Sequence, residues 1–331
     1  MISCARMFSA ALGLIMVHLL QAAPLPAGSA TLVFPNGDEP ITLFTYKSPT
    51  YKGGPLLVVC HGVLRNAEEY RDYAITLAER FGVIIVAPLF DEERFPSSRY
   101  QRIGLLDKDG NVQPSEIWTC AIIPQIVAHV CGIEGNPHLP YYLIGHSAGA
   151  QFLLRLAAFM PDKAVRIVAV NPGSTIFPDR NRKFGYGFGD LPEELSNDAA
   201  MRQYLAAPLT LHLGTGDCVA DACFDASPEA MEQGANRFDR SHACFDAARK
   251  LAKEHDWVFN WRMVETSGIG HEAALMFAAE KAGEALFGPD NALAEAGDSF
   301  QGVGDSFPWT GEAPVESGDD LFGSGDEMYD C

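Results

Sequence analysis

The stretch YYLIGHSAGAQFLLRLAAF, residues 141–159, decides the fold of this 331-residue chain. It opens with an apolar run typical of a buried strand and ends in an amphipathic segment typical of a helix. Between them stands the pattern G-x-S-x-G with Ser147 at its apex. An isolated match is also typical of an ordinary strand-to-helix loop. In this setting it predicts a sharp turn that exposes the serine oxygen at the positive end of the helix.

Short apolar runs alternate with amphipathic segments on both sides of this stretch. Strands are predicted at 30–34, 41–46, 56–60, 83–87, 141–145, 166–170, 210–213 and 259–264. Helices are predicted at 67–81, 115–130, 147–160, 192–205, 238–254 and 272–287. The later strands are apolar throughout, as expected for strands covered on both faces. The order predicts an α/β fold with an eight-stranded, mostly parallel sheet and helices on both faces.

The third predicted strand ends in His61-Gly62-Val63. Glycine lets the backbone turn an N–H group toward the serine, and the loop after the third strand is the expected place for an oxyanion hole. The predicted donors are the N–H groups of Val63 and Ala148, with Gly62 as the alternative. His61 is predicted to support this loop, because the general base should come last in the chain.

The acid and the base are sought after the seventh and eighth strands. Asp217 follows the seventh strand in the loop GTGD and is the predicted acid, with Asp221 and then Asp225 as alternatives. It could instead simply close a turn. His271 follows the eighth strand in GIGHE and is the predicted base, whereas His242 comes too early and on a helix.

With these residues in place, the chain resembles the α/β-hydrolases over residues 30–287, which form one predicted catalytic domain. The segment HGVLRNA, residues 61–67, with Tyr70 and Arg71, resembles bacterial exported esterases related to polyhydroxybutyrate depolymerases. The resemblance implies hydrolysis of a small or polymeric carboxylic ester through an acyl-serine, without a cofactor. The polar residues here either bind substrate or brace the oxyanion loop, and we favour bracing (Arg65, Asn66, Tyr70 and Arg71).

Two other functions are compatible with the pattern. One is a serine peptidase on the same fold, although no repeat domain precedes the catalytic region. The other is a catalytically silent binding protein whose acidic tail recruits a partner. Silent members usually lack a triad residue, and none is missing here.

Two segments of the predicted substrate side are less regular. Residues 171–190 are rich in glycine and proline, and they follow the sixth strand at the edge where open α/β sheets bind ligands. Four aromatic side chains of this loop either wall a pocket or anchor the loop in the core (Phe177, Phe184, Tyr186 and Phe188). Residues 91–113 are also expected to shape the pocket.

The two ends of the chain differ from its middle. Residues 1–23 combine Arg6, an apolar run and small residues, which predicts a secretory signal peptide and a secreted or periplasmic protein without a stable membrane span. Residues 288–331 carry eleven acidic residues and no Lys or Arg, out of a formal net charge of -19. This composition predicts a disordered tail that could bind a protein partner.

Cysteine and charge patterns bear on the remaining classes of site. Removal of the signal would leave seven cysteines, an odd number, and a disulfide among Cys218, Cys223 and Cys244 is the preferred pairing. No zinc-ligand spacing is present, so no metal site is expected. No basic stripe is present, so nucleic-acid binding is not expected.

Overall fold

The computed structural model describes residues 23–289, and its centre is an eight-stranded sheet. The strands are β1 Gly28–Phe34, β2 Ile41–Lys47, β3 Leu56–Cys60, β4 Ile84–Pro88, β5 Tyr141–His146, β6 Arg166–Val170, β7 Leu209–Gly214 and β8 Arg262–Thr266. Their order across the sheet is β1-β2-β4-β3-β5-β6-β7-β8. The pairs β1/β2 and β2/β4 are antiparallel, and every other pair is parallel.

Helices cover both faces of the sheet, so its central strands are buried throughout. The helices are α1 Ala67–Tyr73, α2 Ile75–Phe81, α3 Ile122–Ile133, α4 Ala148–Phe159, α5 Glu193–Ser196, α6 Asp198–Ala206, α7 Pro228–Met231, α8 Arg237–Glu254, α9 Ala273–Ala278 and α10 Lys281–Phe287. One apolar core lies under α3, α4, α6 and α8, and the other under α1, α2, α9 and α10. The predicted fold class and all eight predicted strands are confirmed.

Four of the six predicted helices are interrupted or shortened. The helix predicted at 272–287 breaks at Ala279 because Arg80 of α2 donates to the carbonyls of Ala278, Ala279 and Glu280. The segment 192–205 restarts at Asn197, whose side chain accepts from the Ala200 N–H. The segment 115–130 begins with two 3₁₀ turns, and α3 starts at Ile122. Residues 67–81 form two helices that meet at Ala74.

The predicted disulfide is wrong within the described residues. Cys244 is buried in the core, where its thiol donates to the Ile176 carbonyl. Cys218 is exposed and its thiol donates to the Thr215 carbonyl. Burial of Cys244 separates it from Cys218 and Cys223, which are exposed, and none of the three forms a disulfide within residues 23–289.

The predicted signal peptide, residues 1–23, and the predicted acidic tail, residues 288–331, lie outside the described part of the chain except for residue 23 and residues 288–289. Between residues 23 and 289, no helix has the length and apolar character needed to cross a membrane.

Candidate active site

Ser147 stands in a strained turn between β5 and α4. Its φ is +57° and its ψ is -115°, a combination that is rare for a residue with a side chain. The turn is possible because Gly145 packs against Gly149, where a Cβ at residue 145 would lie 2.5 Å from the Gly149 carbonyl oxygen. Gly149 in turn packs against the Cys60 carbonyl of β3, so strand and helix meet at backbone contact. The G-x-S-x-G pattern therefore has a steric cause in this fold.

The structure brings Ser147, His271 and Asp217 together, as the chain order predicts. His271 Nε2 lies 2.9 Å from Ser147 Oγ, and His271 Nδ1 lies 2.8 Å from Asp217 Oδ2. Asp217 follows β7 and is buried, whereas His271 lies between β8 and α9 and is partly exposed. With the Nδ1 proton directed at Asp217, the Nε2 lone pair faces the serine hydroxyl. This arrangement can remove a proton from Ser147.

The alternative acids, Asp221 and Asp225, and the alternative base, His242, interact with residues outside the Ser147–His271 pair. Asp221 Oδ1 accepts from Arg237 at 2.7 Å, and Asp225 Oδ2 accepts from the Tyr186 hydroxyl at 2.8 Å. His242 Nε2 lies 2.9 Å from Glu265 Oε1. None of the three is hydrogen-bonded to Ser147 or His271.

Arg237, which sequence reasoning missed, lies on the far side of Asp217 from His271. Its Nη1 is 3.5 Å from Asp217 Oδ1, an ion pair between two side chains that are each 2% exposed. The same guanidinium also binds Asp221, so it ties two acidic residues of the loop after β7 to the start of α8. Arg237 is the first residue of α8, where the helix dipole disfavours a cation. An arginine at the start of a predicted helix is unusual for this reason, and it is the feature of the sequence that could have indicated a special role for Arg237.

Asn171, also missed, ties the acid loop to the base loop. Its Oδ1 accepts from the Gly214 N–H at 2.8 Å, and its Nδ2 donates to the Gly270 carbonyl at 2.9 Å. The residue is buried, follows β6 directly and has a φ of +44°, a conformation that asparagine tolerates better than most residues. One side chain therefore sets the spacing of the two loops that carry Asp217 and His271.

His61, which is predicted to support the loop after β3, makes two hydrogen bonds there. Its Nε2 accepts from the Phe90 N–H at 3.1 Å, so Nδ1 carries the proton and donates to the Gly62 carbonyl at 2.9 Å. The ring is fully buried, and this burial lowers the pKa of His61 to about 4. The imidazole is therefore neutral, and its two bonds join the loop after β3 to the loop after β4.

Tyr70 connects the oxyanion loop to the serine turn. Its hydroxyl is 3.0 Å from His146 Nδ1 and packs against the backbone of Gly62. His146 is buried, and its ring lies 4.5 Å from the His271 ring, centroid to centroid. Burial, reinforced by the charges of His271 and Arg237, holds the pKa of His146 well below its usual range. The His146 ring that lies beside the His271 imidazole is therefore neutral.

The predicted oxyanion donors are the backbone N–H groups of Val63 and Ala148. Among residues 23–289, neither the Val63 N–H nor the Ala148 N–H donates to a hydrogen bond. Val63 belongs to the loop after β3, and Ala148 opens α4. Both residues therefore have a backbone donor available beside the serine.

Ser147 and His271 lie in a cavity of about 440 Å³. Its walls come from the loop after β3, from α1, from the loop after β7 and from the start of α9, as the lining residues show (Gly62, Val63, Leu64, Asn66, Tyr70, Tyr73, His146, Ser147, Asp221, Ala222, Cys223, His271, Glu272, Ala273 and Ala274). Arg65 and Arg71 do not line it: Arg65 donates to the Phe95 carbonyl and Arg71 to the Thr45 carbonyl.

The two segments expected to shape the pocket do not line this cavity. The four aromatic side chains of residues 171–190 are buried instead in the core beside α4 (Phe177, Phe184, Tyr186 and Phe188). Arg155 of α4, itself buried, donates to the Ser174 and Gly185 carbonyls and fixes this loop. Residues 91–113 likewise contribute no lining side chain. Across the described residues, no group of His, Cys, Asp or Glu is arranged to hold a metal ion.

The sheet order, the serine turn after β5 and the acid and histidine after β7 and β8 define an α/β-hydrolase. Poly(aspartic acid) hydrolase-1 from Sphingomonas sp. KT-1 is 32% identical to this chain, covers 76% of it and 96% of its own length, and superposes with a TM-score of 0.72. LpqC, a poly(3-hydroxybutyrate) depolymerase from Bordetella parapertussis, is also 32% identical, over 76% of this chain and 88% of that one, with a TM-score of 0.70. No family model and no curated protein sequence matches the chain.

At this level of similarity the chain belongs to the α/β-hydrolase family of these two enzymes, which is related to the poly(3-hydroxybutyrate) depolymerases. Its fold and its similarity to these two enzymes identify it as a hydrolase.

Proposed function

We propose that the protein is a serine hydrolase that cleaves carboxylic esters through an acyl-serine intermediate. The observation that carries the proposal is the continuous contact from Ser147 Oγ to His271 Nε2 at 2.9 Å and from His271 Nδ1 to Asp217 Oδ2 at 2.8 Å, inside a cavity. Both similar enzymes hydrolyse polymers according to their names, which supports a hydrolytic role for the same site.

In the proposed first half-reaction, Ser147 Oγ attacks the ester carbonyl carbon while its proton passes to His271 Nε2. Asp217 keeps the ring oriented and stabilises the imidazolium. The carbonyl oxygen becomes an oxyanion that accepts from the Val63 and Ala148 N–H groups, and each such donor contributes about 3 kcal/mol in comparable enzymes. The bond to the alcohol oxygen then breaks, and His271 returns the proton to the departing alkoxide.

In the second half-reaction, a water molecule gives a proton to His271 Nε2 and attacks the acyl carbon. The tetrahedral species collapses with Ser147 Oγ as leaving group, and the proton returns to that oxygen. The products are a carboxylic acid and an alcohol. No step requires a metal or an organic cofactor.

The test is the hydrolysis of p-nitrophenyl esters by the wild type and by Ser147→Ala. The substitution should lower kcat/KM by at least about 10⁴-fold, because the nucleophile is lost while the fold is kept. A fluorophosphonate probe should label the wild type and not the variant. Equal esterase rates for the two proteins would refute the proposal, and failure of the probe to label wild type would favour a silent binding protein.

Amide hydrolysis is a second candidate, supported by the 32% identity to an enzyme named for poly(aspartic acid), a polymer joined by amide bonds. It also covers the serine peptidase alternative. A p-nitroanilide and a p-nitrophenyl ester of the same acyl group separate the two: the ester proposal expects turnover of the ester alone. Comparable kcat/KM values for both substrates would assign the site to amides as well.

The place of action proposed for the enzyme is outside the cytoplasm, supported by the signal-like sequence of residues 1–23. Mass spectrometry of the mature protein from a secreting bacterial host tests this directly. A new N-terminus near Ala23 supports export, and an intact Met1 in the exported fraction contradicts cleavage.

A further inference from the structure

The wall of the catalytic cavity carries carboxylates and no cationic side chain. Among the described residues that line it, the ionisable ones besides the histidines are Asp221, Glu272, two tyrosines and Cys223. The arginines nearest in sequence to lining residues are turned elsewhere. Arg65 stacks over Tyr100, and Arg71 pairs with Glu68 and Asp72. One cation, buried Arg237, is shared by Asp217 and Asp221, so it does not neutralise both carboxylates, and Glu272 adds a further negative charge.

Glu272 directly follows His271 and is exposed at the start of α9. Within residues 23–289 its carboxylate has no ion pair and does not cap the helix. The cavity is a ligand site on grounds independent of this charge, because it contains Ser147 Oγ and because buried His146, which also lines it, has an Nε2 without a hydrogen-bond partner. An unpaired carboxylate therefore stands one residue from the proposed base.

A second carboxylate, Glu69, is hydrogen-bonded to two residues that line the cavity. Glu69 Oε2 accepts from the Asn66 amide at 2.7 Å and from the Tyr73 hydroxyl at 3.0 Å, and both donors line the cavity. The helices α1 and α9 that carry Glu69 and Glu272 are in contact, since the Tyr70 and Phe277 rings meet at 6.2 Å between centroids. The partly exposed Tyr73 ring adds an aromatic face, which attracts an alkylammonium group.

We infer that this cavity selects esters that carry a positive charge and disfavours esters that carry a negative one, with Glu272 as the main selecting residue. The inference rests on the proposed esterase function. A cation near Glu272 and Glu69 gains attraction that an anion experiences as repulsion.

Three acetate esters of equal reach test the inference: acetylcholine, its neutral isostere 3,3-dimethylbutyl acetate, and 3-acetoxypropanoate. At low ionic strength the expected order of kcat/KM is cation, neutral, anion, with about tenfold between the first and the last. Addition of about 0.5 M salt should compress this range, because exposed charges are screened. Equal kcat/KM values for the three esters, or preference for the anion, would overturn the inference.

Variants locate the effect. Glu272→Gln should lower the ratio of acetylcholine to neutral kcat/KM by about threefold. The matched control is Glu254→Gln, which removes one negative charge at the far end of α8, roughly 25 Å along the helix from Arg237. An unchanged ratio in Glu272→Gln, or an equal change in the control, contradicts the assignment.

Hydrolysis of the neutral ester tests the esterase function separately from the charge preference. Its hydrolysis by wild type and not by Ser147→Ala upholds the esterase function whatever the charge preference. If none of the three esters is hydrolysed, the esterase function falls and this inference with it.

Discussion

The hydroxyl of Tyr70 occupies the space that a side chain at Gly62 would need: a Cβ built on Gly62 lies 2.5 Å from Tyr70 Oη and 3.4 Å from the Cζ behind it. The oxyanion loop is therefore pressed against α1 through one oxygen atom. That atom also contacts His146 Nδ1 at 3.0 Å, so the loop and the serine turn share a single support.

Substitution Gly62→Ala should lower kcat by about 100-fold, because the loop must move and withdraw the Val63 N–H from the oxyanion. Steady-state ester hydrolysis measures this loss. The double variant Gly62→Ala with Tyr70→Phe relieves the collision and should recover the activity of Tyr70→Phe alone. Gly132→Ala in α3, where a Cβ meets open space, is the control. Failure of the double variant to recover would show that the collision is not the cause.

Arg237→Gln should lower kcat/KM by about tenfold and the free energy of unfolding by about 3 kcal/mol, because it leaves buried Asp217 without its cation. Arg237→Lys should be intermediate, since an ammonium cannot reach both Asp217 and Asp221 as the planar guanidinium does. Kinetics and urea unfolding give the two quantities. Arg249→Gln, on the exposed part of the same helix, is the control and should change neither kcat/KM nor the free energy of unfolding. Wild-type activity in Arg237→Gln would show that Arg237 does not position Asp217.

Asn171→Ala should reduce stability by about 2 to 4 kcal/mol, because it strands the buried Gly214 N–H and Gly270 carbonyl. We also expect kcat to fall more than KM rises, since the acid and base loops lose their common tie. Asn181→Ala, whose amide bonds only within its own exposed turn, serves as the reference. Wild-type kcat in Asn171→Ala would mean that the two loops hold their spacing without it.

Three buried histidines make stability depend on pH. Burial lowers the pKa of His61 and of His212 to about 4, and that of His146 well below its usual range. Between about pH 6.5 and 4 the unfolded chain binds protons at these residues that the folded chain does not bind. The free energy of unfolding should therefore fall as pH decreases through this window, by about 1.4 kcal/mol per pH unit for each histidine.

The substitution His212→Gln tests this with one residue. An amide can keep the bond that His212 Nε2 makes to Thr266 Oγ1 at 2.8 Å, but it does not titrate. Urea unfolding at several pH values should show a slope reduced by about one third relative to wild type. Parallel pH profiles for the two proteins would exclude His212 as a source of the acid sensitivity.

The sequence predicts the eight strands and the fold class, because the alternation of apolar and amphipathic segments reflects which residues are buried. Ser147 was identified from its glycines, and Asp217 and His271 were located from chain order, and the structure brings the three together. Arg237 and Asn171 were missed because their roles arise from contacts between distant loops. The helix break at Ala279 was missed for the same reason: Arg80, about 200 residues away, accommodates it. The sequence left open whether the aromatic side chains after β6 wall a pocket or anchor the loop, and the disulfide prediction was wrong, because sequence does not tell a ring or thiol in the core from one at a surface.

The strand ends that carry Ser147, Asp217 and His271 are β5, β7 and β8, and the serine and histidine are 124 residues apart. No fragment of the chain that stops before β8 contains His271, and no fragment that starts at or after α4 contains Ser147. On the proposed function, a growing chain should therefore stay inactive until nearly the whole domain has left the ribosome. Ester turnover would then begin only when the last strand has joined the sheet, and it can serve as a clock for the completion of folding.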